Sequence, residues 1–486
     1  MKRKIFLTIL LIAFAIFATI AFAACDRNGD YPLYDETYQL SVPQNFTINT
    51  QTGIATWGEV ENARTFTIRS GDFTAISDTN SFYMGDLRLT PGTHVVSVRA
   101  DGRIENLVRY IESGFSDEAT FVKAEPAGTR IYNQVQLVAL LNNSSGTFVL
   151  GNDIVLTYQI PPIENFTGTL DGANRSIIGL TFTGNHQHAG LFGVVRNGKT
   201  VRNLNLDNFN FNIDATSQVF AGALISRIEL DYARDISINI ENVFVRGLNI
   251  NATSSTSDAY AGGLIGSVWT GLFTNHAKPI NINSSRVYDS TISATSLASG
   301  SSAFVGGAVA FAYILTPFAL INRHSSMTIN NTQIDAILRA YGANGAYAGG
   351  VIGFFRAHNN QHSFYPHRRR PEVHGVLNFL MMDRVVANGS VHSQARVAYS
   401  GGIIGKTLLY FDTNTELTRL TNNASVTAST TVTNSFLIGA SHVYGLTFIG
   451  QFDDTAFFTI ENFTNNTANL TNYRIIFFED ESIYID

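Results

Sequence analysis

The sequence predicts an all-β protein, a small antiparallel sandwich followed by a long solenoid of stacked strands. Three observations carry this expectation. Short runs of alternating apolar and polar residues, separated by turn signals, fill residues 38–124. A glycine-centred block then recurs at intervals of a few tens of residues along the rest of the chain. Finally, apolar residues make up 45% of the chain and Asp, Glu, Lys and Arg only 14%, so a large core must be wrapped in Ser, Thr and Asn rather than in charge.

At the amino end, Lys2, Arg3 and Lys4 precede a charge-free apolar run from Ile5 to Ala24, the pattern of an export signal. The run closes on Ala21-Phe22-Ala23-Ala24-Cys25, small residues that a signal peptidase can admit, and polar Asp26-Arg27-Asn28-Gly29-Asp30 follows directly. This stretch resembles the lipobox of bacterial lipoproteins, with Phe22 where leucine is more usual. The resemblance implies cleavage before Cys25 and a diacylglyceryl group on its thiol, which would tie the chain to the extracytoplasmic face of the cell membrane. With two or three long acyl chains, each buried CH₂ contributing about 0.8 kcal/mol, detachment would be negligible. Residues 1–24 are therefore expected as a lipoprotein signal peptide. Residues 25–37, polar and turn-rich, are expected as a tether.

Cys25 is the single cysteine, so no intramolecular disulfide can form and the mature chain must be stabilised by burial. The formal charge is −6 and falls to −9 without the three cations of the signal. That balance argues against nucleic acid as a partner, because a basic face is needed to bind phosphates.

The strands expected over residues 38–124 include Phe46-Thr47-Ile48, Ile54-Ala55-Thr56-Trp57, Phe66-Thr67-Ile68, Ser81-Phe82-Tyr83, His94 to Val98 and Ala119 to Val122. Their order resembles a fibronectin type III domain, with Pro43 opening the first strand, Trp57 on the second, Phe66 on the third and Leu89-Thr90-Pro91-Gly92-Thr93 leading into the sixth. His94 stands where that family usually has its corner tyrosine. Trp57 is read as a core residue. Lys123-Ala124-Glu125-Pro126-Ala127-Gly128 is the natural linker, and Asn133 to Asn142 reads as a short, largely apolar helix suited to cap the first open layer of a stacked sheet.

From Ala189 the recurring block is Ala189-Gly190-Leu191-Phe192-Gly193, then Ala221 to Ile225, Ala261 to Gly266, Val305 to Val309, Ala348 to Gly353 and Ser400 to Gly405, at steps of 32, 40, 44, 43 and 52 residues. A phrase of an apolar residue and asparagine precedes most blocks, as in Val201-Arg202-Asn203-Leu204 and Ile240-Glu241-Asn242-Val243. The glycines could serve positive φ, close backbone approach or a phosphate. The phosphate reading is tested by Ser400-Gly401-Gly402-Ile403-Ile404-Gly405-Lys406-Thr407, which fails as a P-loop because Ser400 occupies the first required glycine. The blocks resemble the GLUG motif, and the segment from Thr129 through Phe166-Thr167-Gly168-Thr169-Leu170-Asp171-Gly172 to Gly193 looks like the opening of the region found with it. The resemblance implies a right-handed parallel β-helix, a pectin-lyase-like solenoid, over residues 128–486, with inward Leu, Ile, Val and Phe forming one continuous core.

Chemistry is harder to place. Acidic residues are scattered, with no pair recurring at the repeat spacing, and there is no zinc signature, nucleophile elbow or catalytic cysteine. No catalytic residue, metal ligand or cofactor is expected. The anomalous segment lies in the longest repeat, where His362, Tyr365, His367, Arg368, Arg369 and Arg370 cluster in what reads as an excursion. Arginines pair carboxylates and aromatic rings stack on sugars, so these six are the candidate ligand contacts. Together these features predict a lipid-anchored cell-surface adhesin or interaction protein, displaying a β-helix surface towards a glycan or protein partner. The alternative is a polysaccharide lyase or glycoside hydrolase on the same scaffold, and a third reading is a purely structural component of the envelope.

Overall fold

The computed structural model describes residues 36–230, 235–270, 277–316, 325–359, 377–410, 413–430, 440–450, 457–461, 464–465 and 474–477. It divides into two compact units, Met1–Ala124 and Glu125–Asp486.

In the first unit, Gly92–Ala100 pairs antiparallel with Ala119–Lys123 on one side and Phe66–Ser70 on the other, and Phe73–Ser77 completes a four-stranded sheet. Alternation buries Phe66, Ile68, Val96 and Val98 on one face. They meet Trp57, whose ring packs edge-on against Phe66 with centroids 5.3 Å apart. His94 Nε2 lies 2.7 Å from the Thr90 carbonyl, spanning the corner before this strand.

The fibronectin type III expectation is nevertheless corrected. The remaining strands do not assemble into one facing sheet. Thr47–Ile48, Ile54–Thr56 and Ser81–Tyr83 form one small sheet, while Glu36–Gln39, Val108–Ile111 and Arg103–Glu105 form another. In the latter, Glu36–Gln39 runs parallel to Val108–Ile111, which an all-antiparallel sandwich does not contain. Local alternation specifies strands, but the partner of each edge is chosen only on assembly.

The second unit is built on two sheets, of nineteen and thirteen strands among the described residues. Its pairings are parallel and link each strand to its equivalent one repeat later. Val201, Ile240, Ile282, Ile329, Met382 and Leu417 lie in successive register and are all buried. A second column runs Phe182, Phe211, Ile250, Ile292, Leu338 and Val391. Both belong to one hydrophobic cluster that extends from Ile131 to Val426. The helix Gln134–Leu141 places Leu137 and Leu141 in its first layer, with Asn133 accepting from the Gln136 amide as N-cap.

The asparagine phrase marks a corner. Asn203, Asn242, Ser284, Asn331, Arg384 and Arg419 follow one another in the stack, and all are left-handed, with φ between 47° and 56°. Asparagine tolerates this region better than most residues, and here it also ladders, Asn242 Nδ2 donating to Asn203 Oδ1 at 2.8 Å. The glycine blocks answer a different need. A Cβ on Gly262 would lie 1.9 Å from the Ile265 carbonyl oxygen, and one on Gly263 would lie 2.0 Å from that of Gly307. Close backbone approach, not positive φ, therefore explains glycine at these positions.

The expected open right-handed parallel β-helix, with its pectin-lyase and GLUG associations, is also corrected. The bend at Asn203 lets the single strand Lys199–Asp207 pair with both Thr169–Asp171 and Ser176–Ile178. Similar bends recur, and strands of the chain close into barrels, of six and of eleven strands over the molecule, in place of an open solenoid. The physical reason is that a glycine or asparagine corner specifies a change of direction, whereas closure depends on which edges find one another.

Candidate functional site

The residues singled out from sequence, Cys25 and the cluster His362, Tyr365, His367, Arg368, Arg369 and Arg370, lie outside the described residues. The cluster falls between the strands Ile352–Asn359 and Leu377–Ala395. Ser400 to Thr407 is strand throughout, so the near match to a P-loop forms no phosphate loop.

What the structure brings together is a column of rings that the sequence reading missed. His188, Phe220, Tyr260, Phe304, Tyr347 and Tyr399 stack nearly parallel, with successive centroids 5.4, 4.9, 4.8, 4.9 and 5.5 Å apart. Each immediately precedes a glycine block, and that was the available signal. Strand alternation turns these rings away from the main core: Ala259 and Ala261 point into it, while Tyr260 belongs to a separate buried cluster.

A second column faces the first. Seven residues after Phe220, Tyr260, Phe304, Tyr347 and Tyr399 stand Arg227, Ser267, Phe311, Phe354 and Lys406, themselves in register. Phe311 meets Phe304 at 5.2 Å and Phe354 meets Tyr347 at 5.2 Å. The glycine block between the columns is what lets them approach. Cations close the two ends, Arg227 lying 4.7 Å from the Phe220 centroid and Lys406 Nζ 4.6 Å from that of Tyr399. Burial pulls the Lys406 amine down to about 8, and the neighbouring Arg356 charge acts in the same direction. Burial raises the Tyr347 phenol well above its ordinary value.

Beside the first ring sits a cluster of charges. Arg196 and Arg227 reach Glu229 at 2.8 and 3.2 Å, and Ser226 Oγ lies 3.3 Å from His188 Nδ1. Burial lowers His188 to about 4, helped by Arg227 and Arg196, so the ring is neutral. Lys199 Nζ is 4.1 Å from the Phe192 centroid and 5.4 Å from that of Phe166. Burial lowers its amine to about 7, against the opposing pull of Glu164. Glu164 is itself raised by desolvation. Ser226 is fully buried and His188 half-buried.

Among the described residues no group of three or more His, Cys, Asp or Glu is placed to hold a metal ion, and no helix is long and apolar enough to cross a membrane. No protein family, no curated protein and no solved structure matches this chain. The fibronectin type III and GLUG resemblances therefore find no support beyond the motifs that suggested them. With the open coil goes the long flank expected to carry a binding surface. The adhesin reading, and its lyase or hydrolase alternative on the same scaffold, are corrected with it.

Proposed function

We propose that this chain is an extracytoplasmic scaffold, held at the cell membrane by lipid on Cys25, whose repeat unit serves as a stiff structural body. The observation that carries this reading is the aromatic column. A stack that buries side chains on both faces of the same strands, aliphatic on one and aromatic on the other, ties each layer to its neighbours twice. Local opening of one layer must then disrupt both clusters, so partial unfolding is rare. Hydrogen bonds between layers at the corner, from Asn242 to Asn203 and from Asn331 to Ser284, act in the same direction. Attachment of the scaffold follows from the signal and Cys25 at the amino end.

Two measurements test the parts separately. Cells fed an alkyne fatty acid are expected to label the wild-type chain and not Cys25→Ala, and the unlabelled variant should leave the detergent phase on Triton X-114 partition. Labelling that survives Cys25→Ala removes the anchor. For the scaffold, limited proteolysis of the folded chain should spare a fragment spanning the described stack from about Thr129 to Asn359. Cleavage within the strands before global unfolding would defeat that role.

A further inference from the structure

The first unit holds a cavity of about 630 Å³ that the scaffold reading does not use. It opens beside the hairpin of Arg103–Glu105 and Val108–Ile111, and three arginines, Arg99, Arg103 and Arg109, line it together with Asp101 and Glu112. A volume of this size lies within the range of small-molecule sites.

The polar groups around it are unevenly matched. Asp101 accepts a hydrogen bond from Thr67 Oγ1 at 2.5 Å and stands 3.6 Å from Arg99 Nε, too far for a hydrogen bond. Arg103 Nη2 pairs with Glu105 at 2.8 Å, but Glu105 also receives Arg64. Arg103 Nε and Nη1 and Arg99 Nε are buried and have no hydrogen-bond partner. Buried donors left without acceptors are uncommon and costly, and two guanidinium groups in this condition at one cavity wall call for an acceptor from outside the chain. The Tyr110 ring holds Arg103 from one side, with Cζ 5.0 Å from its centroid. The competing ion pair with Glu105 is partly exposed and holds the fork only weakly.

We propose that this cavity binds a small organic monocarboxylate, its two oxygens taken by Arg103 with Arg99 beside it. Arg99, Arg103 and Arg109 give the lining its anion-binding character, with Asp101 and Glu112 beside them. A planar carboxylate fits a guanidinium through two parallel N–H bonds. The body of the ligand rests on Ile76 and Ile104, which also line the cavity and are 71% and 60% exposed. Apolar surface of that extent is shielded by an aromatic or aliphatic ligand skeleton.

Titration calorimetry of the detergent-solubilised full chain with benzoate, phenyl phosphate and benzyl alcohol tests the assignment. Benzoate is expected to bind at least about tenfold more tightly than benzyl alcohol, because the charge-assisted hydrogen bonds are lost with the alcohol. Arg103→Lys, which keeps charge and loses the fork, should weaken benzoate about tenfold while the melting temperature stays put. Hydrogen exchange of the wild-type chain reads the site without any substitution, and protection on adding benzoate should concentrate between Arg99 and Glu112. Equal binding of benzoate and benzyl alcohol, or protection confined to other segments, overturns the site. Tighter binding of phenyl phosphate than of benzoate overturns the choice of a monocarboxylate.

Discussion

The main-core column and the aromatic column of the repeat unit stand on different strands, those of the nineteen- and the thirteen-stranded sheet, and were written by different rules. The inward column needs only the period of two, and Val201, Ile240, Ile282 and Ile329 satisfy it with branched aliphatics that pack at any layer. The outward column, on a face that water would normally cover, is buried only because the glycine block folds the next strand back over it. Tyr260 is sheltered by Phe311, 5.6 Å away, on the strand that follows the block one repeat later. The comparison teaches that glycine here does not merely permit a turn. By omitting a Cβ it creates the second core.

The largest effect should come from breaking that approach. Gly262→Val puts a branched side chain where even a Cβ would lie 1.9 Å from the Ile265 carbonyl oxygen, and loss of cooperative folding is expected, read by urea denaturation. Next, truncation weighs the two columns against each other. Ile282→Ala in the main core and Phe304→Ala in the outer column should each cost about 3 kcal/mol, measured as the shift in urea midpoint. A loss below about 1 kcal/mol for Phe304→Ala would show that the outer rings are a surface decoration rather than a core.

A smaller effect is the pH response of Lys199, which lies between Phe192 and Phe166. Its amine titrates near 7 when folded and at the ordinary 10.5 when unfolded. Between these values the unfolded chain binds the extra proton, so stability should rise with pH from about 7 to about 10, on the order of 1 kcal/mol per pH unit. Below pH 7 the burial cost is constant. Lys199→Met should flatten much of this slope in urea titrations at pH 7 to 10, and an unchanged slope would show that the amine is charged in the fold. The smallest change concerns the asparagine corner, where Arg384 sits at φ 53° and its ion pair with Asp383 is mostly exposed. Arg384→Asn should stabilise by about 0.5–1 kcal/mol, seen as a slightly raised melting temperature.

Periodicity was the part of the fold legible in the residues. The glycine blocks are unequally spaced in sequence, yet Ala189, Ala221, Ala261, Val305, Ala348 and Ser400 stand in direct register, so their alignment does not require a constant repeat length. The ring before each block was equally visible, but its meaning was not. An aromatic residue on a strand is ambiguous until the opposite surface is known. His188, Phe220 and Tyr260 are single surface residues until neighbouring layers place their faces 5.4 and 4.9 Å apart. The cavity beside Arg103 was hidden for a similar reason, since Arg99 and Arg103 belong to different sheets and their unmatched donors appear only when both are positioned.

Local chemistry, then, was determined by the chain alone. Glycine stands where a Cβ cannot fit, and asparagine marks half of the left-handed corner. Closure was decided only by the tertiary structure. A strand carries its side-chain alternation wherever it goes, but its backbone donors and acceptors accept any partner of suitable direction. The choice between an open coil and a closed network, and between one facing sheet and two small ones, therefore rests on long-range contacts that no short stretch of residues encodes.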